Sequence, residues 1–217
     1  MSLTENLVDW THEQKCLKAV ESLGINGFTA VYCPSPQDAF DYISSAAAGA
    51  RSIGFGGSMS VAGLGIEAQL RDSGKELLNH SAKDLAAEER IEVMRRQLTC
   101  DLFLCGCNAL TLGGELVNID ATGNRAAAMF FGPRSVIVVV GRNKLVEGTV
   151  HDAIQRVKNR ATPPNAKRLN FNTPCAHTGF CTNCNSPQRL CRVTTVIDRK
   201  PRFTDLHVLV VNADMGF

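Results

Sequence analysis

Ser135-Val136-Ile137-Val138-Val139-Val140 is an apolar run in which every residue after the serine is β-branched. A strand with one wet face alternates apolar and polar residues. A run without alternation fits a strand covered on both faces, the usual state of a strand in a parallel sheet. Outward from it, residues 28–33, 52–55 and 102–105 read as further short strands before it, and 193–197 and 207–211 as strands after it. Residues 76–78 and 116–119 are two more strand candidates.

Helical segments fall between these strands. Ser35-Pro36 has the N-cap and first-position residues of a helix whose inner face is Ala39, Phe40, Ile43, Ala46 and Ala47. Residues 61–70 read as a helix. Ser81 is expected to cap another over 83–98, with Leu85, Ile91, Met94 and Leu98 inward. Val146, Val150, Ala153, Ile154 and Val157 mark a further helix, which Thr162-Pro163-Pro164-Asn165 is expected to break. Alternating strands and helices predict an α/β fold with a largely parallel sheet and right-handed crossovers.

An N-terminal helix comes before this unit. Ser2 and Glu5 have capping-box spacing, Leu3, Leu7, Trp10, Leu17 and Val20 recur at helical intervals, and Gly24 is a suitable stop. The expected organisation is a helix at 1–24 and one α/β domain at 25–217. The helix packs on the domain or on a second copy of the chain, with Trp10 as core residue or interface anchor.

Pro174-Cys175-Ala-His177-Thr-Gly-Phe-Cys181-Thr-Asn-Cys184-Asn-Ser-Pro-Gln-Arg-Leu-Cys191-Arg192 has neither helical nor strand periodicity and little apolar mass. Its order is C-x5-C-x2-C-x6-C. The Cys181–Cys184 pair is a CxxC knuckle, and Cys175 and Cys191 complete a four-thiolate set around one centre. Two disulfides, a redox switch and unliganded thiols use the same atoms. Thiolates suit both zinc and iron–sulfur clusters. The x5 and x6 gaps are not those of a zinc ribbon, which favours an iron–sulfur cluster, with zinc as the alternative. His177 either replaces one thiolate, supports a ligand from behind or is an ordinary loop histidine.

Three other loops follow strands, where open α/β sheets bind ligands. Gly54-Phe-Gly56-Gly57-Ser58-Met-Ser60 offers backbone N–H groups and two hydroxyls to an anion, although it is neither a Walker loop nor a full dinucleotide fingerprint. Gly113-Gly114-Glu115-Leu-Val-Asn118-Ile-Asp120-Ala-Thr-Gly-Asn124-Arg125 is unusually polar between apolar segments. Glu115 and Asp120 suit acid–base or nucleophilic work, and Asn118, Asn124 and Arg125 suit a carboxylate or phosphate. A twisted hairpin tying down its own turn explains the same residues. Lys144, in Gly141-Arg-Asn-Lys144, either faces the same cleft or is a solvated helix-end lysine. Ser58, Asp120, Asn124 and Arg125 are expected to converge on one pocket.

The chain has 217 residues, 44% hydrophobic and 20% charged, with a net charge of +2. That balance fits a globular protein and gives no strong field for nucleic acid or an anionic membrane. No apolar run approaches the length of a membrane span. The start, acidic and leading into a helix, lacks the form of a signal peptide. A soluble cytoplasmic protein is therefore expected, where reduced thiols disfavour structural disulfides.

Gly-Gly-Ser-Met-Ser after a strand, Asn-Ile-Asp-Ala-Thr-Gly-Asn-Arg, Phe-Gly-Pro-Arg-Ser-Val-Ile-Val-Val-Val-Gly-Arg-Asn-Lys and the cysteine loop together resemble the lactate-utilization (LUD) domain family, in its cysteine-bearing, stand-alone branch. The resemblance runs from about residue 10 to the end. It implies a Rossmann-like α/β sheet similar to the sugar-phosphate isomerase and CoA-transferase superfamily. It also implies a link to lactate oxidation beside iron–sulfur and flavin oxidoreductase subunits. Better-known members carry a Glu-Thr-Gly type motif where this chain has Thr111-Leu-Gly-Gly114-Glu115, so the glutamate is displaced. Three functions follow as expectations. The first is a metal- or cluster-bearing component of small 2-hydroxy-acid redox metabolism that binds a small anionic metabolite. The second is an isomerase- or transferase-like enzyme on a phosphorylated or CoA-linked substrate. The third is a non-catalytic sensor module.

Overall fold

The structure is a computed structural model and describes residues 3–217. The capping residue Ser2 lies outside the described residues. Six parallel strands form the main sheet: β1 (Thr29–Cys33), β2 (Ser52–Phe55), β3 (Glu76–Asn79), β4 (Leu102–Gly106), β7 (Ser135–Gly141) and β10 (Asp205–Val211). Their spatial order is β1-β10-β7-β4-β2-β3, a Rossmann-like arrangement with β7 inside the sheet.

The unbroken run in β7 is explained by burial on both faces. Val136, Val138 and Val140 join one core with Phe103, Cys105, Leu206, Val208 and Val210. Ile137 and Val139 join a second core with Leu102, Leu104, Leu209 and Val211. Successive strand side chains point to opposite faces, so two cores require apolar residues at every position. Each such side chain contributes about 1.5–3 kcal/mol on burial.

Helix α2 (Pro36–Ala47) covers the second face through Ala39, Ile43 and Ala47. The Asp38 carboxylate accepts the Ser35 N–H at 2.8 Å, closing its first turn. Ala46 is exposed, contrary to the expected inner face. Helix α1 (Leu3–Ile25) covers the first face and packs on β1 and β10. Its buried residues are Cys16, Ala19, Ser22 and Leu23, not the bulky stripe seen in the sequence. Leu3, Leu7, Trp10 and Leu17 are exposed, Trp10 at 57%. Leu23, with Val20 packed beside it, is the bulky part of the inward face, and Cys16, Ala19 and Ser22 let the rest of the helix approach the sheet.

Three further expectations are corrected. The 61–70 segment is two short helices, α3 (Met59–Ala62) and α4 (Ile66–Leu70), separated at Gly65, which adopts a left-handed conformation. Helix α5 (Ala87–Gln97) starts well after Ser81, with the Glu89 carboxylate accepting the Ala86 N–H at 2.8 Å, and its buried residue is Gln97 while Ile91 is exposed. Pro163 and Pro164 do not break their helix. Helix α7 (Val150–Arg156) runs through a π-helical turn (Val157–Ala161) into α8 (Thr162–Arg168), whose first turn holds both prolines. A wider turn accommodates two rings and two missing donors that a regular α-helix would not.

A second sheet was not legible as such. It has the order β8-β5-β6-β9, from β5 (Ala109–Thr111), β6 (Leu116–Asp120), β8 (Leu145–Val146) and β9 (Val193–Ile197). Strand β6 is antiparallel to both β5 and β9. Helix α7 and the π turn after it pack on this sheet through Ala153 and Val157 against Ala109 and Val117. Helix α6 (Asn124–Phe130) follows β6, and the one-turn helix α9 (Pro174–Thr178) opens the cysteine loop.

Candidate functional site

The carboxyl ends of β2, β3, β4 and β7 share one edge of the main sheet, because all four strands are parallel and neighbours in register. A cavity of about 440 Å³ opens there, a size suited to a small metabolite. Gly56, Gly57 and Ser58 line it from the end of β2, His80 from β3, Gly106, Cys107 and Asn108 from β4, and Lys144 from beyond β7. Asp120, Asn124 and Arg125 line it from the second sheet and α6. Ser58, Asp120, Asn124 and Arg125 thus stand around one cavity. The expected route differs for Asp120: it ends a strand of the antiparallel sheet, not of the parallel one.

Two glycines make the close packing here. Gly57 has φ +69°, which a side chain rarely adopts. A Cβ on Gly106 would lie 2.5 Å from Ser58 Oγ, so only glycine lets the Ser58 hydroxyl lie over the end of β4. Ser58 Oγ also accepts the Val61 N–H at 3.3 Å and starts α3.

Arg125 and Asp120 form the frame. The Arg125 guanidinium donates to Asp120 through Nε at 3.0 Å and through Nη2, to Asn108 Oδ1 at 2.7 Å and to the Gly106 carbonyl at 3.2 Å. The other Asp120 oxygen accepts the Ala126 N–H at 3.0 Å. Each nitrogen of the guanidinium and each oxygen of the carboxylate has a partner within the protein, so the geometry of the pair is that of a brace between the two sheets rather than of a free base. Asn118 belongs to the same brace. It is fully buried, its Oδ1 accepts the Asn108 N–H at 3.2 Å, and it does not line the cavity.

Glu115 lies elsewhere. It sits in the β5–β6 turn, where it accepts from the Thr111 hydroxyl, and Asn26 holds the same turn through the Gly113 carbonyl at 2.9 Å. Five residue steps along β6, roughly 16 Å, separate it from Asp120. Glu115 accordingly does not line the cavity, and its contacts are those of a hairpin tying down its own turn.

Lys144 is only 4% exposed, so it is not a solvated helix-end lysine. Its Nζ donates to Ser60 Oγ at 2.7 Å, and Ser60 donates its own proton to the Met215 carbonyl at 3.0 Å. Ser60 is thus a support behind Lys144, not a wall residue. Burial pushes the Lys144 amine down from 10.5 to about 8, with Arg156 and Arg125 adding repulsion.

His80, Arg90, Met94 and Arg168 also line the cavity and carry no motif in the sequence. The one signal available for His80 is its place directly after β3. Its Nδ1 lies 3.1 Å from the Gln97 amide nitrogen, which also donates to the carbonyls of Phe55 at 2.9 Å and Leu78 at 2.8 Å. Burial lowers the His80 pKa and favours the neutral ring.

The four loop cysteines line a second, small cavity, with Lys158, Thr162 and Arg189. Cys181 Sγ accepts the Asn183 N–H at 3.4 Å, and Cys191 Sγ lies 3.6 Å from Thr162 Oγ1. Arg189 holds the loop, donating to the carbonyls of Cys184 and, at 2.7 Å, Cys191. His177 bonds Asn172 at 3.0 Å and is outside this cavity. All nine cysteines are free thiols among the described residues. Among those residues, no three His, Cys, Asp or Glu side chains are close enough to hold a single metal ion. Thr162, Leu190 and Cys191 line both cavities, so the two share a wall. The link is made by β9, whose first residue Val193 pairs with Asp120, while the Arg192 N–H bonds the Asp120 carbonyl at 3.0 Å.

Among the described residues, no helix is long and apolar enough to cross a membrane. No curated protein sequence matches the chain. Among solved structures, a DUF162 family protein from Deinococcus radiodurans is similar in fold, with a TM-score of 0.52 at 18% identity over 92% of this chain and 98% of that one. Residues 16–211 match the family model described as the LUD domain, a span that contains both sheets, the cavity and the cysteine loop, and the chain accordingly belongs to the LUD domain family.

Proposed function

We propose that this protein is a cluster-bearing component of the redox metabolism of small 2-hydroxy acids such as lactate, binding a small anionic metabolite in the 440 Å³ cavity. The observation that carries the reading is the shared wall: four thiols gather at one small cavity whose lining residues Thr162, Leu190 and Cys191 also line the large one. Family membership supports the link to lactate utilization.

The donor set fits an iron–sulfur cluster. Four thiolates are the usual ligands of such centres. The four thiols line one small cavity, and their x5 and x6 gaps, unlike those of a zinc ribbon, favour a cluster over zinc. Cys175, Cys181, Cys184 and Cys191 would hold the cluster, and bound there it would supply one-electron transfer. Lys158 and Arg189 at the same cavity would offset the negative charge of thiolate ligands. The Asn183 N–H would also donate to the Cys181 sulfur beside the cluster. The partner class we propose is an iron–sulfur or flavin oxidoreductase approaching the loop where Phe180 is exposed.

The test is anaerobic purification followed by visible absorption and by iron, acid-labile sulfide and zinc analysis. Iron with sulfide, lost on serine replacement of each of the four cysteines, is the expected result. A colourless zinc protein would replace the cluster with zinc and leave the isomerase- or transferase-like alternative open. Anaerobic protein without metal would overturn the metal reading altogether.

A further inference from the structure

The lining of the large cavity carries more positive than negative charge, with Arg90, Arg125, Lys144 and Arg168 against Asp120. Arg125 is matched by Asp120. Arg156, which stands behind the lining, bonds only carbonyl oxygens, those of Asn108 at 2.6 Å and Asn143 at 2.6 Å and 3.1 Å. Lys144 has the Ser60 hydroxyl as its hydrogen-bond partner and no carboxylate within ion-pair distance among the described residues. The ionisable groups facing it are Arg125, Arg156 and the buried thiols of Cys105 and Cys107. A buried ammonium without a counter-ion is costly, and a protein keeps one where a ligand supplies the anion.

We propose that Lys144, as its ammonium, is the anchor for the carboxylate of a small 2-hydroxy or 2-oxo acid. The proposal rests on the reading of the large cavity as an anion site and adds the residue and its charge state. Lys144 lies at the cavity wall, is already oriented by a Ser60 oxygen whose own proton is committed to Met215, and needs no rearrangement to meet an anion. With the free amine titrating at about 8, the empty protein is largely protonated at neutral pH and largely neutral well above it. A bound carboxylate favours the ammonium and raises that value. Binding is therefore tightest below pH 8 and weakens above it, because only the protonated fraction is competent.

Isothermal titration of the whole anaerobically purified protein with L-lactate and with pyruvate tests this, at about pH 6.5 and about pH 9, in two buffers of different ionisation enthalpy. The expected result is about tenfold weaker binding at the higher pH, with close to one proton taken up there and close to none at the lower pH. Lys144→Met should lose binding at both. Lys144→Arg should bind at both without proton uptake. Equal affinity at both pH values with no uptake, or unchanged binding in folded Lys144→Met, would overturn the role of Lys144 and leave the cavity reading standing. Failure of both acids to bind folded wild type would overturn the cavity reading itself, and Lys144's role with it.

Discussion

The large cavity and the cysteine loop are neighbours built in opposite ways. The cavity stands on the ends of four parallel strands between two sheets, and its polar groups brace one another: Arg125, Asp120 and Asn108 hold a closed network. The loop has a buried apolar cluster of only Ala166, Cys175 and Ala176, with Leu190 packed on it. Its remaining order comes from hydrogen bonds, many of them from Arg189. One site is preorganised by a core that would exist without any ligand. The other has little core of its own, so binding of the proposed centre there would contribute directly to the folding of the loop.

The sharpest way to break this contrast is through the scaffold. Ile137→Asp places an unpaired charge between β4 and β10 and should cost at least about 4 kcal/mol. Loss of the cooperative thermal transition checks it, and a wild-type melting curve would remove β7 from the centre of the fold. Asp120→Asn strands the Arg125 guanidinium and should cost about 3 kcal/mol in urea unfolding. A negligible cost would mean that the two sheets are not braced there.

Lys144→Met should act with the opposite sign. The folded amine titrates at about 8 and the reference amine at 10.5, so unfolding takes up a proton between those values. Wild-type stability accordingly rises with pH through that window, and the penalty of the buried charge is fully present below it. The variant should be more stable by up to about 3 kcal/mol at pH 7, a gain that fades toward pH 10.5. Urea titrations along the pH series read this directly, and a pH-independent difference would show that packing, not charge, is responsible.

Cys181→Ser and Cys184→Ser should change global unfolding by less than about 1 kcal/mol while the 174–192 segment becomes the first site of proteolysis in anaerobic protein. A large drop in global stability would show that the loop is part of the main core. Trp10→Ala should have the smallest effect, within about 0.5 kcal/mol for the monomer, since the ring is 57% exposed. A larger loss that depends on protein concentration would reveal a second copy on α1.

The sheet was the most legible part of the chain. Ser135 to Val140 announced a doubly covered strand because burial on both faces leaves its mark at every residue. Polar residues after strands were legible too, since Ser58 and Lys144 stand where parallel strands deliver them and Asn124 and Arg125 follow β6 of the second sheet. Glu115 misled because a hairpin end and a strand end look alike until strand direction is known. Trp10 and its stripe misled because helical spacing gives a periodic face without saying whether large or small side chains meet the sheet. Pro163 and Pro164 misled because a π turn upstream can absorb what a regular helix cannot.

What the sequence determined by itself was local and periodic: an α/β alternation, a central strand and four cysteines in one short polar segment. Membership of the parallel or antiparallel sheet, the exclusion of Glu115 and the placing of His80 on the cavity wall were decided only in three dimensions. So was the wall that Cys191 shares between the two cavities. Its cause is a pairing of Val193 with Asp120, 73 positions apart by subtraction of their numbers. Backbone hydrogen bonds of that range depend on how the whole chain closes, and no local pattern of residues encodes them.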